Sequence, residues 1–184
     1  MSLFPTPMKE TRQKILQTAA MRELACLLIG GNAVILLGFP RMTIDIDLLV
    51  PAEKRLRWLD LMRDLAFRLL QGTEAFVQFE PGTSEMVPVD LMFVNAPTWK
   101  NMDSEARQEI VAEHHVRVPR IEHLIALKLH AAASPTRSKP ETDWEDIRQI
   151  IRICKLNTDE PGFRAMILRY GGKKALDRIE SFLR

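Results

Sequence analysis

The sequence predicts an α+β fold in which a mixed sheet flanked by helices is followed by a C-terminal helical segment. Short apolar runs that are bounded by glycine or proline, several of them with strand-like alternation, occur before about residue 118. After that point apolar residues recur at helical spacing, with no strand-like run. We therefore expect an α/β core over residues 1–118 and a helical region over residues 119–184 that packs on the core.

In the core, the elements follow from periodicity and from turn residues. Apolar positions three and four residues apart predict helices, whereas alternation or short apolar runs predict strands. Gly30-Gly31 ends the first strand, Asn32 can cap the short helix after it, and Pro51 suits a helix start. The predicted elements are a helix over Thr11–Leu24, a strand over Cys26–Ile29, a helix to Leu37, a strand over Thr43–Val50, a helix from Pro51 to about Leu70, and strands over Ala75–Glu80, Met86–Val94 and His115–Val118.

The C-terminal region shows the helical period throughout. A polar, proline-containing link over Ser134–Thr142 separates the first two helices, and Gly171-Gly172 separates the last two. The predicted helices cover Ile121–Ala133, Trp144–Leu156, Phe163–Tyr170 and Lys173–Leu183.

Composition and charge narrow the class of protein. The chain is 46% hydrophobic and 27% charged, as is usual for globular proteins, and its net charge of +2 gives no support to a plain nucleic-acid-binding module. No apolar stretch reaches the ~18 residues that a membrane-spanning helix needs, and the start lacks the pattern of a signal peptide. Cys26 and Cys154 lie in apolar runs, so we expect no disulfide and a cytoplasmic protein without a membrane partner.

Two aspartates on one predicted strand are the first candidates for chemistry. Asp45 and Asp47 are two residues apart, so their side chains project to the same face. Two adjacent carboxylates repel each other unless a cation lies between them, and hard oxygen ligands suit Mg²⁺ or Mn²⁺. The glycine pair Gly30-Gly31 lets backbone N–H groups approach an anion at the start of the following helix. Solvated acids on an exposed sheet face are the alternative interpretation of such a pair.

A third acid, Asp90, lies inside the apolar run Val87–Phe93. A carboxylate in such a strand is costly unless it is paired or binds a metal. If this strand lies beside the Thr43–Val50 strand, the three acids form a cluster of the kind used in two-metal phosphoryl transfer. An acid on an edge strand is the alternative for Asp90 alone. The chain has no HExxH, GxSxG or Walker-type GK[ST] sequence, which argues against zinc-protease, serine-hydrolase and P-loop chemistry.

This pattern resembles the signature of the DNA polymerase β-like nucleotidyltransferase superfamily: a glycine pair, an acid–apolar–acid triplet and a later third acid. The Arg-x-Thr before the triplet is similar to the branch of abortive-infection-type toxins and related bacterial proteins. A lysine on one helix and acids on the next extend the similarity, which covers residues 24–155. The residues that carry it are Gly30-Gly31-Asn32-Ala33, Arg41-Met42-Thr43, Asp45-Ile46-Asp47, Asp90, Lys128, Arg137, Asp143 and Asp146.

The resemblance implies a nucleotidyltransferase-like mixed sheet and an enzyme that transfers a nucleoside monophosphate from an NTP to an acceptor hydroxyl and releases pyrophosphate. It implies that the three acids are catalytic and bind Mg²⁺ or Mn²⁺, with Asp90 also orienting or deprotonating the acceptor. It assigns the nucleotide to six residues: Gly30, Gly31, Asn32, Arg41, Thr43 and Lys128. The acceptor can be a tRNA end, a protein or a small molecule, and a toxin–antitoxin partner protein is implied too.

Other interpretations stay open for several of these residues and for the function. Arg41 can contact a phosphate or pair with Asp45 or Asp47. Lys128 can be a surface lysine, and Asp143 and Asp146 can simply stabilise the first turns of a helix. The alternative function is a catalytically inactive nucleotidyltransferase-fold protein that acts as a regulatory or binding partner, such as a toxin–antitoxin component.

Overall fold

A computed structural model describes residues 4–111, 114–135 and 139–182 of the chain. The chain divides into two compact units. The first comprises Met1–Ala33 and Pro40–Pro119, and the second comprises Val34–Phe39 and Arg120–Arg184. The α+β class predicted from the sequence is confirmed. The domain boundary at residues 118 and 119 remains a prediction, as does the packing of the helical region on the core.

The first unit is built on a mixed five-stranded sheet and a separate two-stranded sheet. The one parallel strand pair lies in the five-stranded sheet. The strands are β1 (Leu27–Leu28), β2 (Ile46–Pro51), β3 (Phe67–Gly72), β4 (Phe76–Pro81), β5 (Val89–Val94), β6 (Arg107–Val111) and β7 (His114–Val118). The large sheet has the order β1-β2-β5-β4-β3, in which only β2 and β5 are parallel. Strands β6 and β7 pair with each other in antiparallel fashion.

The two faces of the large sheet differ in character. On β4 and β5 the side chains alternate between fully buried apolar residues and partly buried ones. Val77 and Leu91 lie opposite each other on the buried face and are fully inaccessible. Gln78 and Asp90 lie opposite each other on the second face, which we call the polar face. Because successive side chains of a strand point to opposite faces, the apolar core residues lie on one face of the sheet and the candidate site residues on the other.

Helices cover the sheet of the first unit. These are α1 (Thr6–Met21), α3 (Arg55–Asp64), which follows a 3-10 turn over Ala52–Lys54, and α4 (Ala96–Ser104), while α2 (Gly30–Leu36) continues into the segment assigned to the second unit. Side chains from α1 and α3 complete the core, where burial of apolar surface provides the main stabilisation. Its fully buried large members include Met8, Ile15, Leu27, Leu28, Ile46, Leu48, Leu49, Trp58, Leu61, Met62 and Leu91.

Besides Val34–Phe39, the described part of the second unit contains the helices α5 (Ile121–Ala133), α6 (Pro140–Ile153) and α7 (Pro161–Phe182). Helix α5 packs against both of the others. Gly172 interrupts α7 with a non-helical backbone (φ 71°), at the glycine pair where the sequence predicts a break between two helices. The core of this unit includes Leu124, Ile125, Leu129, Ile147, Ile150, Phe163, Ile167, Leu176 and Ile179.

The predicted helix from Pro51 to Leu70 is wrong beyond Asp64. Ala66 adopts a left-handed conformation (φ 64°) that ends the helix, and the chain then forms β3 along β4. Only Phe67 of β3 is buried, and Leu69 is 59% exposed, so the apolar residues that continued the helical spacing do not belong to the core. Backbone pairing with β4, not burial of a stripe, therefore determines this segment.

Smaller differences concern element ends and the region after β5. Helix α1 begins earlier than predicted and ends at Met21, just before Glu23 in a left-handed conformation (φ 52°). Helix α6 begins at Pro140, a favourable first position. Helix α4 and strand β6 were not predicted. Helix α2 begins at Gly30, so Asn32 lies inside the helix and does not cap it, which corrects the sequence-based expectation.

Two expectations about the whole chain can be compared with the structure. Cys26 and Cys154 form no disulfide, as expected. Within the described ranges, no helix combines the length and the apolar character needed to cross a bilayer.

Candidate active site

The parallel pairing of β2 and β5 brings the three candidate carboxylates together. Asp47 of β2 lies in register with Asp90 of β5, and Asp45 precedes the first residue of β2. One carboxylate oxygen from each of the three lies within 4.8 Å of the others. Neighbouring strands are about 4.8 Å apart, so a direct register match places side chains of the same face at this separation. The strand adjacency required by the three-acid hypothesis is therefore present.

The chemistry of this group fits a divalent cation. Three carboxylates at this separation carry a concentrated negative charge that favours a bound cation. Oxygen ligands of this kind suit Mg²⁺ and Mn²⁺. Among the residues that the structure describes, no other set of three or more His, Cys, Asp or Glu side chains is close enough to share an ion. The group Asp45–Asp47–Asp90 can thus hold a metal ion.

Asp45 is fixed by two contacts from residues of the same signature. The Thr43 hydroxyl donates a hydrogen bond to Asp45 Oδ1 at 2.8 Å. The Asn32 side-chain amide donates to the Asp45 main-chain carbonyl at 2.7 Å. Asn32 is fully buried, and its Oδ1 has no hydrogen-bond partner among the described residues. The observed contact of Asn32 is therefore with the backbone before β2, and its role in nucleotide binding remains a prediction.

The glycine pair is required because Asp47, Thr43 and Arg41 lie very close to its backbone. Gly30 has a φ of 62°, and a Cβ at this position would lie 1.8 Å from Asp47 Oδ2. A Cβ at Gly31 would lie 2.8 Å from Thr43 Oγ1 and 3.3 Å from Arg41 Cζ. A side chain at either position would displace its neighbours, and at Gly30 it would also be strained. The structure thus places Gly30 against Asp47, and Gly31 against Thr43 and Arg41.

Lys128 lies in a different environment, in the core of the second unit. Its Nζ is 3.0 Å from Asp143 Oδ1 and 2.7 Å from Asp146 Oδ2. All three side chains are buried, with 8%, 1% and 1% exposure. Asp143 and Asp146 therefore do more than stabilise the first turns of α6, because they bind a buried ammonium. The contact of Lys128 with a phosphate remains a prediction. Arg137 lies outside the described residues.

Gln78 is a polar neighbour of the site that was not predicted from the sequence. Its Nε2 donates to Asp90 Oδ2 at 3.1 Å. The signal available in the sequence was its place in a strand between Val77 and Phe79, where a polar residue must face away from the core. Such a position is typical of many solvent-exposed residues, so the signal alone did not indicate a functional contact.

The family model for the AbiEii nucleotidyl transferase toxin of type IV toxin–antitoxin systems matches residues 15–183, nearly the whole chain. The chain belongs to the AbiEii family. This confirms the resemblance to the abortive-infection-type branch of the nucleotidyltransferases. The group Asp45–Asp47–Asp90 and the glycine pair Gly30-Gly31 lie within the matched range. No curated protein matches this AbiEii chain in a sequence search.

Solved structures with the same fold accompany this assignment. The antibiotic-resistance factor ANT(2'')-Ia is 19% identical to this AbiEii protein, with 95% of this chain and 97% of that chain covered and a TM-score of 0.68. The lincosamide antibiotic adenylyltransferase LnuA is 15% identical, with 79% and 98% covered and a TM-score of 0.58. An antigenic nucleotidyltransferase-like protein from Paracoccidioides brasiliensis is 18% identical, with 92% and 89% covered and a TM-score of 0.53. The similarity establishes a shared fold.

Proposed function

We propose that this AbiEii protein is an active, metal-dependent nucleotidyltransferase. It transfers a nucleoside monophosphate from an NTP to an acceptor hydroxyl and releases pyrophosphate. The observation that carries the proposal is the group Asp45–Asp47–Asp90, whose ligand oxygens lie within 4.8 Å of one another on a parallel strand pair. In a family of nucleotidyl transferases, such a group suits Mg²⁺ or Mn²⁺.

The three acids have distinct tasks in this proposal. Asp45 and Asp47 hold the metal ions, and the hydrogen bond from Thr43 fixes the orientation of the Asp45 carboxylate. When bound, divalent ions neutralise charge on the triphosphate and favour ionisation of the acceptor hydroxyl. Asp90 binds metal and orients the acceptor hydroxyl, whose proton its carboxylate can accept. The oxygen then attacks the α-phosphorus in line, a new P–O bond forms, and the bond to pyrophosphate breaks.

We assign the nucleotide to the glycine pair and its neighbours. The backbone of Gly30 and Gly31 holds the triphosphate, and the Arg41 guanidinium beside Gly31 supplies positive charge. Thr43 and Asn32 belong to the same nucleotide-binding segment, through their contacts to Asp45. Lys128 is assigned as a further phosphate contact, the role that the family resemblance gives to this lysine.

The family and the fold indicate the classes of donor, acceptor and partner. The family belongs to type IV toxin–antitoxin systems, so an antitoxin is the expected partner. ATP is the first donor to test, because LnuA, which shares the fold, is an antibiotic adenylyltransferase, and ANT(2'')-Ia, which also shares it, is an antibiotic-resistance factor. A tRNA end, a protein side chain or a small molecule provides the acceptor hydroxyl. We place this activity in the cytoplasm, where NTPs are available.

Calorimetric titration with each of the four NTPs, with and without Mg²⁺, tests the proposal. We expect Mg²⁺-dependent binding of at least one NTP and its loss in Asp45→Asn. Asp60→Asn is the matched control, because Asp60 is a half-exposed acid on α3 that pairs with Arg63 and lies in the same unit. Binding that survives Asp45→Asn would contradict the metal site. No binding under any condition would favour the inactive regulatory partner.

A further inference from the structure

A row of four polar side chains crosses the polar face of the sheet. Asp47 of β2 is in register with Asp90 of β5, Asp90 with Gln78 of β4, and Gln78 with Gln71 of β3. Residues directly opposite each other on neighbouring strands project to the same face and are close enough to interact. The carboxylate site therefore continues into two amide side chains along a single row.

Two hydrogen bonds link three residues of this row, and each donor points from β3 toward β5. Gln78 Nε2 donates to Asp90 Oδ2 at 3.1 Å, and Gln71 Nε2 donates to Gln78 Oε1. An ionised carboxylate can only accept, so Gln78 must turn its NH₂ group toward Asp90. Its carbonyl oxygen then faces Gln71, which must donate in turn. The charge on Asp90 therefore fixes the orientation of both amides.

An irregularity in β3 brings Gln71 into this row. Leu69 pairs with Phe79, but the register then shifts so that Gln71 pairs with Gln78. Without the shift, Leu70 would lie opposite Gln78 and would offer no donor to its carbonyl oxygen. Leu70 is instead 60% exposed. Bulges of this type redirect a side chain, and they are common next to active sites.

We propose that Gln78 is a positioning residue for Asp90, held in its donating orientation by Gln71. The inference rests on the proposed function, because it assigns a task to residues behind the third metal ligand. By bonding Oδ2, Gln78 restricts rotation of the carboxylate and fixes the direction in which Asp90 presents its oxygens to a metal. Partners that orient metal ligands typically change metal affinity or activity by about 10–100-fold when they are lost.

Four variants test this inference. Gln78→Leu removes the donor, and Gln78→Glu keeps the size of the side chain but replaces the donor with an acceptor. Gln71→Leu removes only the residue that orients Gln78. Gln108→Leu is the matched control, since Gln108 is an exposed glutamine on β6 of the other sheet.

Binding of Mn²⁺, measured by electron paramagnetic resonance, and Tm are the two measurements. We expect Gln78→Leu and Gln78→Glu to weaken Mn²⁺ binding about 10–100-fold. Gln71→Leu should produce a smaller loss, and Gln108→Leu none. A purely structural role for Gln78 would lower Tm and leave Mn²⁺ affinity unchanged, which would overturn the inference. If Gln78→Leu does not fold, the comparison of Gln78→Glu with wild type decides.

Asp90→Asn, measured in parallel, separates this inference from the proposed function. Weaker Mn²⁺ binding in Asp90→Asn with unchanged binding in both Gln78 variants would refute the positioning role alone. Unchanged binding in Asp90→Asn, or no Mn²⁺ binding by the wild type, would refute the metal site and with it the inference.

Discussion

Replacement of Gly30 by alanine is the most direct structural test of the site. The new Cβ would lie 1.8 Å from Asp47 Oδ2 and 2.4 Å from its Cγ, whereas Cβ atoms essentially never lie closer than 3.0 Å to another heavy atom. The carboxylate must therefore move by at least about 1.2 Å. Misplacement of a reacting group by about 1 Å typically costs about 10²-fold in rate. We expect a loss of this order in turnover and at least about tenfold weaker Mn²⁺ binding.

Gly38→Ala separates this displacement from backbone strain. Gly38 also has a positive φ, of 97°, but a Cβ there would have no heavy atom within 4 Å. An alanine with positive φ costs about 1–2 kcal/mol, so both variants should lose stability in urea unfolding. Only Gly30→Ala should also lose Mg²⁺-dependent NTP binding in calorimetry. Equal NTP affinities in Gly30→Ala and wild type would refute the reasoning that the carboxylate position depends on this glycine.

Three further predictions concern groups outside the acid triplet. Lys128→Met leaves the carboxylates of Asp143 and Asp146 buried without their ammonium partner. It should lower the free energy of unfolding in urea by about 3–5 kcal/mol, more than replacement of all three residues by neutral ones. A loss below about 1 kcal/mol would contradict this. Two backbone N–H groups at the start of α7 lower the pKa of Glu160 below its usual 4.5. Its stabilising effect is therefore complete above that value and is lost as the pH falls through the folded-state pKa, so the Tm difference between wild type and Glu160→Ala should shrink on acidification. A difference that does not depend on pH would contradict this assignment. Burial raises the pKa of Cys26 to about 12, so mass spectrometry should show slow alkylation at pH 8 until urea unfolds the chain; rapid alkylation of the native protein would contradict this.

The acids of the site were predictable because their signals are local. Asp45 and Asp47 share one face through a spacing of two, and Asp90 interrupts an apolar strand at a cost that requires a reason. That these strands are neighbours was a condition stated from the sequence, and the parallel register of β2 and β5 fulfils it. The catalytic and metal-binding roles of the three acids remain predictions.

Other parts of the fold depend on contacts between distant segments. Leu69 continues the helical spacing of α3, yet pairing with β4 and the left-handed Ala66 make its segment a strand. Alanine is not a residue that favours positive φ, so the sequence contains no warning of this turn. The contact between Gln71 and Gln78 depends on the register shift in β3, which no local pattern specifies. Strand β6 was missed because charged and amide residues make up most of it.

The order of strands in the large sheet has a consequence for synthesis of the protein on the ribosome. Strand β5 is the last of its five strands to be made, but it lies between β2 and β4, so no continuous sheet exists before it is added. Pairing between segments far apart in the chain is a slow step in folding. The strand that closes this gap also carries Asp90, so the group Asp45–Asp47–Asp90 is completed together with the sheet. A nascent or truncated chain that ends before β5 therefore lacks both the continuous sheet and the third carboxylate.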